Sequence, residues 1–315
     1  MTAGTTTVQT PRVGRIAAIV AVTATLFLGA CQPPPAQLPV GTLSTALSNF
    51  VSSPNDVAGA NNWSCKPSAA HPYPVVLVHA TAVNLGTNWA ALSPMLANAG
   101  YCVYAFNYGM TVLSLGRFGG LGDIAASAQT MSTFVDKVLT STGASKVDVV
   151  GHSQGGMMPS YYIKRLGGAA KVHTFIGLSP SNHGTSLSGI VTLGVQLNLL
   201  GFVNNLIWGL GIPGLAQQEA GSSFQTNLFA GGDTVAGPRY VVIQTTHDEV
   251  VTPYATAFLT GPNVTNILIQ DQCPSDPVGH VGMFLDSPVL QNVLNQLGSN
   301  TPGFHATCSG YGVGV

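Results

Sequence analysis

Lys146-Val147-Asp148-Val149-Val150-Gly151-His152-Ser153-Gln154-Gly155-Gly156 decides how this chain folds. A short β-branched run ends in Gly-His-Ser-Gln-Gly, and a helix candidate, Met157 to Leu166, follows it. Strand, sharp turn and helix in that order are the context a G-x-S-x-G nucleophile elbow requires. The turn strains the backbone at the serine, so the residues two before and two after it must be small. Gly151 and Gly155 meet that need. The strain lifts the Ser153 hydroxyl clear of the sheet and aims it at a cleft. An ordinary glycine-rich turn is the competing reading in a chain with 38 glycines. The flanking strand and helix favour the elbow.

Outward from this centre, strand and helix signals alternate from Tyr73 onward. Pro74 to His79, Tyr101 to Phe106, Val147 to Val150, Val172 to Leu178, Arg239 to Thr246 and Val264 to Ile269 read as short strands. Their near-continuous apolar character suits strands covered on both faces. Trp89 to Ala99, Asp123 to Leu139 and Pro288 to Leu297 read as helices. The pattern predicts an α/β fold, a mostly parallel central sheet with helices on both faces.

The exception is Thr185 to Gln218, thirty-four residues without an acid or base. Leucine, isoleucine, valine, Phe202 and Trp208 fill it, while Gly201, Gly209 and Pro213 interrupt any membrane span. It reads either as an apolar cap bordering an acyl pocket or as two buried core helices.

Of the 315 residues, 45% are hydrophobic and only 7% charged, so a large core is available. No basic run exists to neutralise phosphates, which argues against nucleic acid as a partner. Residues 1–30 read as an export leader: Arg12 and Arg15 precede the apolar stretch Ile16 to Ala30, too short to span a bilayer comfortably. Its end, Leu28-Gly29-Ala30-Cys31, is similar to a bacterial lipobox, so Cys31 is a candidate for lipidation and membrane attachment. Residues 31–60 then form a Pro-rich tether and N-terminal arm, and 61–315 the main domain. Setting Cys31 aside leaves Cys65, Cys102, Cys273 and Cys308, an even set in an exported chain. Three pairings exist; Cys65–Cys102 would tie the arm to the second strand and Cys273–Cys308 would pin the tail near a late loop, and two disulfides are the preferred reading. The spacings do not suit zinc.

A serine hydroxyl needs a base, and the base needs an orienting acid. On this fold the chain order is serine, acid, histidine. Asp248 and Glu249 lie just past the strong strand Arg239 to Thr246, where catalytic groups of open α/β sheets collect. Asp248 is chosen, with Glu249 the alternative. His280, in a loop before the closing helix, is preferred as base over His305 in the tail. The oxyanion hole needs two backbone N–H groups: Gln154 after the nucleophile, and Thr81 after the first strand, with Ala80 or Ala82 as alternatives. No metal or organic cofactor is required.

Pro74–Ala80, Trp89–Tyr108, Lys146–Pro159, Leu178–Thr185, Thr246–Pro253 and Asp271–His280 together resemble the bacterial class 2 lipases of the α/β-hydrolase fold, over about residues 60–310. The resemblance implies a Ser153–Asp248–His280 triad and an exported hydrolase of lipid or other carboxylic esters. Most members carry His-Gly after the first strand, and Ala80 stands at that glycine here. Its methyl group is expected to narrow the oxyanion loop or change its dihedrals. Acyl transfer at the same site, or lipid binding on a non-catalytic envelope lipoprotein, are the alternative functions.

Overall fold

A computed structural model of the chain describes residues 1–7, 9, 36–186, 188–193 and 212–315. Most of the expected leader, Cys31, the first prolines of the expected tether and residues 194–211 of the uncharged segment lie outside the described residues. Met1–Ala36 and Gln37–Val315 are separate compact units, and the second carries every strand named below and both disulfides.

The six expected strands are present: β1 (Val75–Val78), β2 (Val103–Phe106), β3 (Val147–His152), β4 (Val172–Leu178), β5 (Arg239–Gln244) and β6 (Val264–Leu268). They form one sheet in the order β2-β1-β3-β4-β5-β6, and each pairing is parallel. The main helices are α1 (Leu43–Ser52), α2 (Leu92–Asn98), α3 (Ile124–Thr142), α4 (Met158–Arg165), α5 (Ser223–Phe229) and α6 (Ser287–Leu297).

Alternation along the strands sends side chains to two cores. Val76, Val78, Tyr104 and Phe106 pack with α3 and α4 through Ile124, Met131, Val135, Met158 and Tyr162. Val75, Leu77, Val103 and Ala105 face the other way, against Leu92 and Leu96 of α2 and Val289, Leu290 and Val293 of α6. Helix α3 exists because Ile124, Ala128, Met131, Val135 and Val138 repeat at helical spacing, all buried. Asp123 caps its start by accepting from the Ala126 N–H at 2.8 Å, and Gly143 ends it at φ +76°.

The edge of β2 is covered by the arm before β1. Asn61 bonds the β2 backbone through its N–H to Val103 and through both side-chain amide atoms to Ala105. Unpaired strand groups are thereby satisfied. Cys65–Cys102 closes this arm, and Cys273–Cys308 closes the tail, with Cα separations of 5.8 and 5.4 Å. Helices α1 and α5 carry no strong sequence signal. Ser, Thr and β-branched residues give α1 low propensity. It is held instead by burial of Ala46 and Phe50, the latter edge-on to Phe118 at 5.1 Å.

The sheet order reverses direction between β1 and β3. Ligands of open α/β sheets bind outside the carboxyl ends of strands at such a switch point. The loop after β1 contains Thr81, and the turn after β3 contains Ser153.

Candidate active site

Ser153 follows β3 at φ +56°, in the left-handed region an ordinary side chain avoids, and is 2% exposed. The glycines around it are dictated by contact. A Cβ on Gly151 would sit 1.8 Å from the Gly155 carbonyl oxygen, and one on Gly155 would sit 2.2 Å from that of Val78. The turn closes only because neither has one.

Asp248 lies four residues past β5. Its Oδ1 accepts the N–H groups of Val250 at 2.9 Å and Val251 at 2.7 Å, which fixes the carboxylate. Its Oδ2 accepts from His280 Nδ1 at 3.0 Å. The two side chains are 0% and 1% exposed. His280 Nε2 is also buried, with no protein partner. Glu249 and His305, the alternative acid and base, are both exposed and stand outside this pair.

His152, the residue before the nucleophile, joins two parts of the site. Its Nε2 lies 3.0 Å from the His280 carbonyl and its Nδ1 3.2 Å from Asn88 Oδ1. Both oxygens only accept and a neutral ring has one proton to give, so the shorter contact places it on Nε2 and leaves Nδ1 without a hydrogen bond to Asn88. Burial, then the neighbouring His280, pushes the His152 pKa down to about 3, opposed by the bond to the His280 carbonyl. The elbow and the His280 loop are therefore joined directly, with the two rings 5.2 Å apart.

Thr81 is 1% exposed, and its backbone N–H has no hydrogen-bond partner among the described residues. Gln154 is the second residue of the short 3-10 turn Ser153–Gly156, where leading amides lack internal acceptors. The Gln154 side chain spans the gap between these amides, its Nε2 donating to Thr81 Oγ1 at 3.1 Å and the Gly120 carbonyl at 3.0 Å. Gln218 Nε2 reaches Thr81 Oγ1 from the other side at 3.2 Å, and its Oε1 accepts from Ser181 Oγ at 3.0 Å. Sequence reading missed Gln218 and Asn88. Gln218 ends the uncharged segment, but nothing local marks its side chain as a partner of Thr81.

Ala80 is accommodated without the left-handed strain a glycine would relieve. The left-handed residue of this loop is Ala82, at φ +60°. The Ala80 N–H donates to Asn88 Oδ1 at 2.8 Å. His79 steadies the loop: its Nδ1 donates to the Ala80 carbonyl at 2.7 Å, and its ring stacks on Tyr108 at 4.4 Å. Burial lowers the His79 pKa to about 4, against the raising effect of the Ala80 carbonyl. Ala80, Ala82, Val83, Phe118, Leu121, Ile190, Leu193, Leu215 and Val250 form an apolar cluster around this loop. The described ends of the uncharged segment thus contribute buried residues beside it.

Two further histidines have structural partners. His173 Nδ1 pairs with Asp148 at 2.9 Å and stacks on Tyr73, while His183 bridges Asp233 and the Thr256 carbonyl, each at 2.9 Å. Among the described residues no three His, Cys, Asp or Glu side chains converge as a metal site.

Chemically, the arrangement holds a strained alcohol on the elbow, a buried carboxylate–imidazole pair whose loop is joined to that elbow through His152, and two amides without internal acceptors. Triacylglycerol lipases of Pseudarthrobacter phenanthrenivorans and Burkholderia plantarii are each 34% identical over 98 residues, 30% of this chain. The match covers 28% and 25% of those relatives, under a third of their length. Aspergillus fumigatus lipase B superposes with a TM-score of 0.60 at 21% identity, covering 87% of this chain and 61% of its own. The monoacylglycerol lipase of Paleococcus ferrophilus gives 0.50 at 17% identity, covering 75% and 98%. These two likenesses are of fold, and the fold is that of the α/β-hydrolases. Residues 72–291 match the lipase (class 2) family, and the chain belongs to it.

Proposed function

We propose that this protein is an exported serine hydrolase cleaving carboxylic esters of the lipid, triacylglycerol type through an acyl-enzyme. The observation that carries the reading is the buried Asp248–His280 pair, whose free Nε2 belongs to a loop bonded to the elbow through His152. Asp248 holds the proton on Nδ1, which leaves Nε2 as a base. Ser153 Oγ attacks the ester carbonyl as Nε2 takes its proton. The Thr81 and Gln154 amides donate to the tetrahedral oxyanion. His280 returns the proton to the departing alkoxide, and the alcohol leaves. Water, deprotonated at the same nitrogen, then releases the carboxylic acid and Ser153.

The apolar cluster beside Thr81 supports an acyl chain as the substrate's recognised part. Two disulfides support an oxidising compartment outside the cytoplasm. Attachment through a lipidated Cys31 belongs to the same proposal. Its test is radiolabelled palmitate, expected in the native protein and absent from Cys31→Ser.

The catalytic test is Ser153→Ala with a fluorophosphonate probe and a p-nitrophenyl ester series. Native protein is expected to label and turn over, and the variant to do neither while keeping its fold. Persistent hydrolysis by the variant overturns the assignment.

A further inference from the structure

We propose that the turn Met110–Leu115 is the surface by which this protein docks on a neutral lipid phase, an inference that rests on the lipid-ester function proposed above. Three of the nine large apolar side chains exposed among the described residues fall within these six residues: Met110 at 39%, Val112 at 93% and Leu115 at 73%. Contiguous exposed apolar side chains mark interaction surfaces, since single ones scatter. Leu115 is also held at φ +47°, a conformation that glycine, asparagine or aspartate adopts at less cost. An exposed leucine there does nothing for folding.

The turn is built rather than frayed. Thr111 Oγ1 accepts the Leu113 N–H at 3.2 Å, and Ser114 Oγ accepts the Thr111 N–H at 2.8 Å, from a residue only 1% exposed. Asn84 Nδ2 donates to the Arg117 carbonyl at 3.1 Å and holds the base. The returning limb enters the site itself. Gly119 exchanges backbone bonds of 2.8 Å with Ala82 and Val83, and the Gly120 carbonyl accepts from Gln154 Nε2 at 3.0 Å. Five residues separate Leu115 from Gly120, a reach of at most about 18 Å. A lipid phase touching the tip therefore lies within reach of the Thr81–Gln154 amides.

Charge selects the kind of lipid. Residues 109–122 contain Arg117 and no other charged side chain. Anionic headgroups are recognised by clusters of basic residues, which this surface lacks. Valine, leucine and methionine match an acyl phase.

The test compares residues 37–315, the unit carrying the whole sheet and both disulfides, with the same chain bearing Val112→Asp and Leu115→Asp. Both are measured by co-sedimentation with phosphatidylcholine vesicles, by turnover of emulsified triolein and by turnover of dissolved p-nitrophenyl acetate. The expected result is at least tenfold weaker vesicle binding and a parallel fall on triolein, with kcat/KM on the dissolved ester unchanged. Aspartate tolerates the left-handed position, so the melting temperature is expected not to fall. Equal vesicle binding by the two proteins overturns the proposal. So does binding that requires phosphatidylglycerol, which would make the surface an anionic-lipid site. A native dimer that the variant converts to monomer also overturns it, assigning the turn to a second copy. Failure of the native chain on both esters sinks the hydrolase reading instead, while the vesicle measurement still decides the docking.

Discussion

The Nδ1 of His280 donates to Asp248 Oδ2 across 3.0 Å, in a pair closed to solvent on both sides. Asp248→Asn is expected to keep the loop, because the amide oxygen can still accept the N–H groups of Val250 and Val251. Its NH2 group, however, would face Nδ1 and drive the proton to Nε2, the nitrogen that must be bare. A fall in kcat of about 10³–10⁴-fold is expected, with little change in KM. A variant retaining more than a tenth of native kcat would remove Asp248 from the mechanism.

The elbow glycines differ sharply from an open helix-end glycine such as Gly143. Gly155→Ala drives a methyl carbon to 2.2 Å from the Val78 carbonyl oxygen, where only backbone could yield. Overpacking of that kind should cost more than about 3 kcal/mol and abolish turnover. Gly143→Ala meets nothing within 4 Å and bears only the left-handed penalty of φ +76°, about 1–2 kcal/mol. Urea denaturation of both variants checks the contrast.

Acid should weaken the fold through His79 and His152. Burial holds their pKa values at about 4 and about 3, below the ordinary 6.5. Between pH 6.5 and 4 the unfolded chain therefore binds more protons than the native one. Stability is complete above pH 6.5 and drops as pH falls, with a limiting slope of about 1.4 kcal/mol per pH unit for each ring. His79→Asn should remove one ring's share of that slope. Urea midpoints measured from pH 8 to 4.5 give the answer, and parallel curves for native and variant would contradict it.

The tail seats the His280 loop. The Val315 carbonyl accepts the N–H groups of Val281 at 2.7 Å and Gly282 at 3.1 Å, and the Val313 carbonyl accepts that of Gly279 at 3.1 Å. Cys273–Cys308 closes the intervening segment. Replacing either cystine by two serines should cost about 2–4 kcal/mol. Only Cys273→Ser with Cys308→Ser is expected to lower kcat at temperatures where the protein stays folded, by about tenfold. Equal kcat losses in the two pairs would disconnect the tail from the base.

Gly282→Ala tests the same seat by a different route. Its added Cβ would lie 2.1 Å from the Val313 carbonyl oxygen, so the tail must shift. A kcat loss of about tenfold or more is expected, with circular dichroism of the sheet unchanged.

Period and punctuation made much of the molecule legible. The six strands lie within two residues of their expected bounds because buried parallel strands are short apolar runs bracketed by turn residues. Helix α3 starts after Asp123, as its capping aspartate requires. The helix expected from Trp89 begins instead at Leu92, since Leu85–Asn88 forms a turn of its own, started by Asn84 accepting the Thr87 N–H at 3.0 Å. Helix α1 stayed hidden because its stability is tertiary rather than local. Residues 194–211, expected to hold most of the cap, lie outside the described residues.

By itself the sequence determined the parallel α/β plan and the strained turn at Ser153, since each depends on local spacing, while the pairing of the four cysteines came from the fold. Tertiary structure alone decided that Asp248 rather than Glu249 meets His280, and that Gln154 and Gln218 converge on Thr81. The same holds for the tail that seats the base. Those contacts join residues 32 to 137 positions apart, and no local periodicity encodes which distant side chains a folded backbone brings within hydrogen-bond reach.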